Sequence, residues 1–310
     1  MPTRRQESIE VRTLADFGIL LELLGDACRW RPRRSLLTEI TGHRERTQMP
    51  YVNVDGRAIH YDCPRKLPSS VGQTVLLVHG AFDDRRIWQH VYAALENNHT
   101  PIGLDLPGHG GSDWPAFETA EEHVGFVAAL VKTLGLERVV VCGHSMGGSI
   151  AMHYALEHAS RVSGLIPIGS SPEWDLAEFE ASAEGSANAD PWSDPDTAYT
   201  SNLDCLFSKK TSPELIAGYD RQIRQISPRT CRADLETCST FDLRAQLKNI
   251  NVPTCVICGD EEEWKDGSLA IHEHIAGSSY HEIPAAGHAV TIEQPQAIVA
   301  VIESFLASLS

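Results

Sequence analysis

Basic residues are scarce in this chain. Its 310 residues hold 26 lysines and arginines against 42 aspartates and glutamates, a formal net charge of −16. That balance excludes nucleic acid as an expected partner, because binding phosphates needs a basic face. It also disfavours strongly anionic substrates. Long apolar runs are missing too. The longest near the start, Phe17 to Leu24, is far too short to cross a bilayer and contains Glu22. No stable membrane insertion is therefore expected. Met1-Pro2-Thr3-Arg4-Arg5 is not followed by an apolar segment with a small-residue cleavage site, which makes a cytoplasmic location the expectation. No His/Asp pairs stand at metal-ligand spacing, and no glycine-rich loop precedes a helix in a phosphate-cradling pattern. No metal and no cofactor are expected. The eight cysteines are scattered. Cys255 and Cys258 have C-x-x-C spacing, but they sit inside the apolar run Thr254 to Cys258 with no second pair. They read as small buried hydrophobes.

What is present is an ordinary globular composition, 42% hydrophobic and 22% charged, in a chain long enough for one large α/β domain. Residues 1–47 differ from the rest, with nine arginines and no lysine against seven acidic residues. Residues 8–30 read as an amphipathic helix, with Ile9, Leu14, Phe17, Leu20, Leu21 and Leu24 near helical spacing. Acidic residues interrupt that face, so the expectation is a helical extension docked on its own domain or on a second copy in a homodimer.

From residue 48 onward the pattern changes. Tyr51-Val52-Asn53-Val54 and Arg57-Ala58-Ile59-His60-Tyr61 flank Asp55-Gly56, a two-residue hairpin signal. Short apolar strands follow at Thr74–Val78, Thr100–Leu104, Arg138–Cys142, Gly164–Ile168, Thr254–Cys258 and Ser279–Ile283. Helical segments at about 86–96, 120–135, 147–158, 268–276 and 294–308 separate them. Apolar strands alternating with helices predict a mostly parallel, doubly wound α/β sheet covered on both faces. Residues 172–240 break the rhythm with an acidic, Ser- and Pro-rich stretch and then helical patches such as Pro213 to Ile226. That insertion reads as a helical cap over the end of the sheet where ligands bind.

The most specific signal is Gly143-His144-Ser145-Met146-Gly147, between the apolar run Arg138–Cys142 and a helical segment. Strand, G-x-S-x-G, helix is the context that gives the pattern chemical meaning, because a serine at the tip of so tight a turn has an exposed hydroxyl. A side chain at the flanking glycines would collide with the neighbouring strand and helix. Serine alone is a weak nucleophile and needs a base, which needs an acid to orient it. The sequence has fourteen histidines, so position must choose among them. The Met146 amide, next to the serine at a helix start, suits an oxyanion.

Leu76-Leu77-Val78-His79-Gly80, Asp105-Leu106-Pro107-Gly108-His109-Gly110-Gly111-Ser112, Gly143-His144-Ser145-Met146-Gly147-Gly148 and Gly287-His288 together resemble the α/β-hydrolase superfamily, in its esterase, perhydrolase and C–C hydrolase branch. The resemblance spans about 50 to 308 apart from the cap. It implies Ser145 as nucleophile and His288, after the last strand, as base. It implies an acid in Asp260-Glu261-Glu262-Glu263: Glu262 stands at the usual position, where Asp is more common, and Asp260 or Glu263 remain alternatives. It implies oxyanion donors at the backbone amides of Ala81 and Met146. His79-Gly80-Ala81-Phe82 is not the three-glycine loop of one esterase group. His79, His109 and His144 read as structural. Phe82 and Trp174 are candidate pocket walls, and Trp174, Phe179, Trp192, Tyr199, Phe207 and Tyr219 of the cap read mostly as its own core.

The leading expectation is hydrolysis of a small-molecule carboxylic ester, thioester or lactone through an acyl-enzyme. The alternative is hydrolysis of a C–C bond in a β-diketone or ring-cleavage product. A third, from another class, is a non-catalytic ligand-binding protein of the same fold. Serine at the turn argues against dehalogenase and epoxide hydrolase chemistry, whose relatives place Asp there.

Overall fold

The computed structural model describes residues 51–175 and 203–309. The expected helix over 8–30, and Phe179, Trp192 and Tyr199, lie outside the described residues. In chain order the elements are β1 (Tyr51–Val54), β2 (Arg57–Asp62), β3 (Thr74–Val78), a 3₁₀ turn (Arg85–Trp88) running into α1 (Gln89–Leu95), β4 (Thr100–Leu104), α2 (Ala120–Thr133), β5 (Val139–His144), α3 (Met146–Glu157), β6 (Val162–Ile168), α4 (Leu203–Leu206), α5 (Pro213–Ile223), α6 (Pro228–Ser239), β7 (Cys255–Gly259), α7 (Lys265–His274), β8 (Ser279–Ile283), α8 (Val290–Glu293) and α9 (Pro295–Ser308).

The strands form one sheet in the order β1-β2-β4-β3-β5-β6-β7-β8. β1 with β2 and β2 with β4 are antiparallel, and the pairs from β4 through β8 are parallel. The expected hairpin is present. Asp55 at φ 50 and Gly56 at φ 91 both take positive φ, as a two-residue turn matching strand twist requires. The near-continuous apolar strands are explained by cover on both faces. Leu76 and Val78 of β3 and Val139 and Val141 of β5 pack with α2, α3 and Ile271 of α7. Val75, Leu77, Val140 and Cys142 point the other way, onto Ile87, Trp88, α1 and α9.

The same alternation disposes of the C-x-x-C spacing. Cys255 and Cys258 are three apart on β7, an odd step that puts them on opposite faces. Cys255 packs with Ile257 on the α9 side, while the Cys258 Sγ lies 3.2 Å from the Tyr280 hydroxyl.

Sequence and structure differ at element ends. β5 runs two residues beyond the expected Cys142 to His144, because the turn itself does not begin until Ser145. The patch Pro213 to Ile226 is helical as far as Ile223, and a second helix, α6, follows from Pro228 with the same start, Ser-Pro. Ser212 accepts from Leu215 N and Ser227 from Thr230 N, each with proline at the first helical position, where its missing N–H costs nothing.

The strand order reverses at β3. The chain leaves β3 for β4 on one side, and β5 lies on the other. Ligands of such sheets bind at the carboxyl ends of strands at this switch point, here the loops beginning at His79 and at Ser145.

Candidate active site

The turn after β5 is built from backbone contacts too close for side chains. A Cβ on Gly143 would run into the Gly147 carbonyl, and one on Gly147 into the carbonyls of Val78 and His79. α3 can therefore start directly against the end of β3. Ser145 sits between them at φ 54, ψ −124, a region that non-glycine residues rarely occupy. The strain is held from β6: Ser145 N donates to the Ile168 carbonyl at 2.9 Å, and Ser170 Oγ donates to the Ser145 carbonyl at 2.9 Å. Met146 is the first residue of α3, so its N–H belongs to the turn that has no intrahelical acceptor.

The loop after β3 lies against this turn. A Cβ on Gly80 would stand 2.9 Å from Ser145 Cβ, so the glycine is needed for close approach. His79 anchors the loop: its Nε2 accepts from Leu106 N at 3.0 Å and its Nδ1–H donates to the Gly80 carbonyl at 2.8 Å. That pairing fixes a neutral tautomer, and burial pushes its pKa down to about 4. Ala81 follows, and then Phe82 at φ 62.

His288 and Glu262 meet. The Nδ1–H of His288 donates to Glu262 Oε1 at 2.7 Å, and both residues are buried. Of the four consecutive carboxylates after β7, each has a separate fate. Asp260 accepts from Ala286 N at 3.3 Å. Glu261 accepts from Ser208 Oγ at 3.0 Å and Lys209 N at 3.1 Å. Glu263 is exposed. Glu262 Oε2 is buried with no hydrogen-bond partner among the described residues, so the carboxylate is committed to the imidazole through one oxygen. His144, one residue before the serine, donates its Nε2–H to the His288 carbonyl at 2.8 Å, and the two rings lie 4.8 Å apart. Burial pushes His144 down to about 3. Trp264 closes the other side of His288, edge to face at 5.1 Å.

The two candidate pocket residues fall in different places. Phe82 packs against the cluster of Phe207, Tyr219, Ile223, Ile226, Cys231 and Ala289. Trp174 packs on the main core and donates its Nε1–H to Ser149 Oγ at 3.0 Å.

Several contributing residues escaped sequence reasoning. Glu293 on α8 accepts from Gly287 N at 2.8 Å through Oε2, and from Ser208 N at 2.8 Å and the Thr211 hydroxyl through Oε1. It thus ties the His288 loop to the chain between β6 and β7. Asp83 accepts from Tyr219 Oη at 3.0 Å and Gln222 Nε2 at 2.9 Å, both on α5. Asp234 on α6 reaches Phe82 N at 2.8 Å. Their partners stand 85, 136 and 152 residues away, and no local pattern announces such contacts. Among the described residues no group of three His, Cys, Asp or Glu side chains is placed to hold a metal, and no helix is long and apolar enough to cross a membrane.

The buried titratable groups predict an acid response. His79, His123 and His144 are pushed by burial from 6.5 to about 4, 3 and 3. Asp83 is raised from 3.8 to about 7, by burial first and by the Asp84 charge second. Between about pH 4 and pH 6.5 the unfolded chain binds protons that the folded histidines refuse. At Asp83 it releases one that the folded chain keeps. The histidines outnumber the aspartate, so stability rises with pH across this window. Thermal melts from pH 4 to 7 should show Tm climbing, more steeply in Asp83→Asn. A flat Tm would contradict the assignment.

A model of the alpha/beta hydrolase family matches residues 75–301. A putative 2-succinyl-6-hydroxy-2,4-cyclohexadiene-1-carboxylate synthase of Bacillus subtilis is 26% identical over 266 residues, covering 77% of this chain and 92% of the relative. A pimeloyl-[acyl-carrier protein] methyl ester esterase of Nitrosomonas europaea is 25% identical over 254 residues, covering 75% and 95%. Among solved structures, an enol-lactonase from Burkholderia xenovorans superposes with a TM-score of 0.73 at 24% identity, over 83% of this chain and 100% of that one, a likeness of fold.

Proposed function

We propose, because the chain belongs to the alpha/beta hydrolase family, that it hydrolyses a carboxylic ester, thioester or lactone through an acyl-enzyme on Ser145. The observation that carries this reading is the buried 2.7 Å contact from His288 Nδ1 to Glu262 Oε1. With Nδ1–H donated to a carboxylate, the proton of neutral His288 is on Nδ1 and Nε2 is left as a lone-pair base. In this reading Nε2 takes the proton of Ser145 Oγ as it attacks the substrate carbonyl. Glu262 stabilises the imidazolium that forms, and His288 then protonates the leaving alcohol or thiol. A water deprotonated by His288 attacks the acyl-enzyme and restores the serine.

Charge on the tetrahedral oxygen is met by the amides of Ala81 and Met146, the second assisted by the α3 dipole. The chain between β6 and β7 serves as the cap, with Phe82 on the pocket side and Trp174 at its base. The Nitrosomonas relative's methyl ester is one guide to the bond cleaved. The Bacillus relative is named for a different reaction, so the fold alone does not choose the substrate.

A fluorophosphonate probe is expected to label folded protein once, with the adduct mapped to Ser145. p-Nitrophenyl esters of rising chain length, a lactone and a β-diketone then rank the bond class. Absence of labelling at Ser145 would favour a non-catalytic binder and overturn the reading. Turnover of the β-diketone alone would replace the ester by a C–C bond.

A further inference from the structure

We propose that Asp234 on α6 is a positioning residue for the oxyanion loop, held in place by a buried imidazolium at His109. This rests on the reading of Ala81 as an oxyanion donor. Phe82, the next residue, stands at φ 62, a left-handed conformation that a bulky side chain does not adopt unaided. Its N–H donates to Asp234 Oδ2 at 2.8 Å. Fixing that amide fixes the peptide plane following Ala81, and so narrows where the Ala81 N–H can aim.

The same Oδ2 lies 3.1 Å from His109 Nε2, and both side chains are fully buried. His109 Nδ1 lies 3.1 Å from the Pro107 carbonyl, which can only accept, so Nδ1 carries hydrogen. One further proton must lie between Nε2 and Oδ2. A carboxyl is the stronger acid of the two, so that proton belongs to His109. Burial works against the cation, but the Asp234 charge and hydrogen bond outweigh it and raise the His109 pKa above the usual value. The other ionisable groups around His109 do not compete for Oδ2. His79, its ring 4.8 Å away, is neutral and already paired. His123 on α2 is held neutral by burial. Asp105 is occupied by the amides of Arg85 and Gly111, by the Arg85 guanidinium and by His60.

The carboxylate is therefore aimed by an ion pair from below and spent on a single backbone amide above. It is supplied by the chain between β6 and β7, not by the loop's own strand. The neighbouring Asp83 is gripped from the same direction by Tyr219 and Gln222. Seating of α5 and α6 and the aim of the oxyanion loop are one event.

The test uses the full chain and an ester that the wild type hydrolyses, with rates expressed per site from end-point fluorophosphonate titration. Asp234→Ala and Asp234→Asn should lower kcat by about 10- to 100-fold, less than the roughly 100- to 1000-fold cost of removing an oxyanion donor outright, and change KM by less than about threefold. Thr237→Val is the control on the same helix. Its hydroxyl donates to the Phe117 carbonyl at 3.2 Å, away from the loop, and its kcat should stay within about twofold of wild type. Removing one partner of a buried pair can prevent folding. His109→Leu with Asp234→Leu removes both charges together, leaves no uncompensated ion, and should show the same loss of kcat at retained KM. Folded Asp234 variants with wild-type kcat overturn the proposal, as does a Thr237→Val chain that reproduces the loss. A wild type that neither labels nor hydrolyses any ester fails the acyl-enzyme reading itself, before any variant is compared.

Discussion

Ser145→Ala is expected to abolish turnover, with kcat lower by about five to six orders of magnitude, the scale seen when a nucleophile of this type is removed. It should do so without unfolding the protein, because alanine keeps the Cβ around which the turn is packed. A second substitution at the same site separates chemistry from strain. At φ 54, ψ −124 any side chain carries a backbone cost of about 1–3 kcal/mol. Glycine does not carry it, although it gives back about 0.4–1 kcal/mol through its freer unfolded chain. Ser145→Gly should therefore be as inactive as Ser145→Ala and melt at a higher temperature. Equal or lower Tm for the glycine variant would mean the turn is relaxed, and the case for a strained, presented hydroxyl would fall. Residual turnover above one part in a thousand in either variant would remove Ser145 from the chemistry.

Glu262→Gln is expected to lower kcat by about four orders of magnitude, the known cost of an acid-to-amide change that leaves a catalytic histidine in the wrong tautomer. The geometry supplies the reason. Glutamine can offer its NH₂ where Glu262 Oε1 now accepts the His288 Nδ1–H at 2.7 Å. The ring then satisfies that donor by placing its own hydrogen on Nε2, where no base remains. Asp260→Asn is the matched comparison. Asp260 reaches Ala286 N at 3.3 Å and not the imidazole, and an amide oxygen accepts that bond equally well. Its kcat should stay within about threefold of wild type. Steady-state kinetics on one ester decides the matter. A damaging Asp260→Asn with a benign Glu262→Gln would reverse the assignment.

These two expectations draw on features that could be read from the chain before any coordinates. The elbow was legible because its glycines are demanded by backbone sterics, which leave no other residue type. The sheet was legible because strands covered on both faces are apolar at every position. Glu262 was harder. Four consecutive carboxylates look alike in a sequence, and what separates them is burial: one faces the imidazole, one accepts a loop amide, one holds the neighbouring segment and one meets solvent. Asp83, Asp234 and Glu293 could not be read at all. In a chain of −16 net charge an acidic residue in a loop or an amphipathic helix looks like a solvated one. Each is identified only by a backbone amide or hydroxyl that arrives from a distant part of the chain. Phe82 reads in the sequence as a pocket wall through its ring, and nothing there signals that its backbone N–H meets Asp234.

The 152-residue gap between Phe82 and Asp234 also sets an order of events. Contacts between distant residues close late, since the entropy of loop closure is lost before the contact returns anything. The serine turn is local: β5, Ser145 and α3 are consecutive, and it needs only β3 and β6 beside it. A nascent or refolding chain can therefore form the Ser145 turn while α6 is still unattached and Asp234 has not reached Phe82 N. On the proposed reading such a chain carries the attacking serine without an aimed oxyanion loop. On that reading hydrolytic competence waits on the seating of α6 and is lost when α6 detaches.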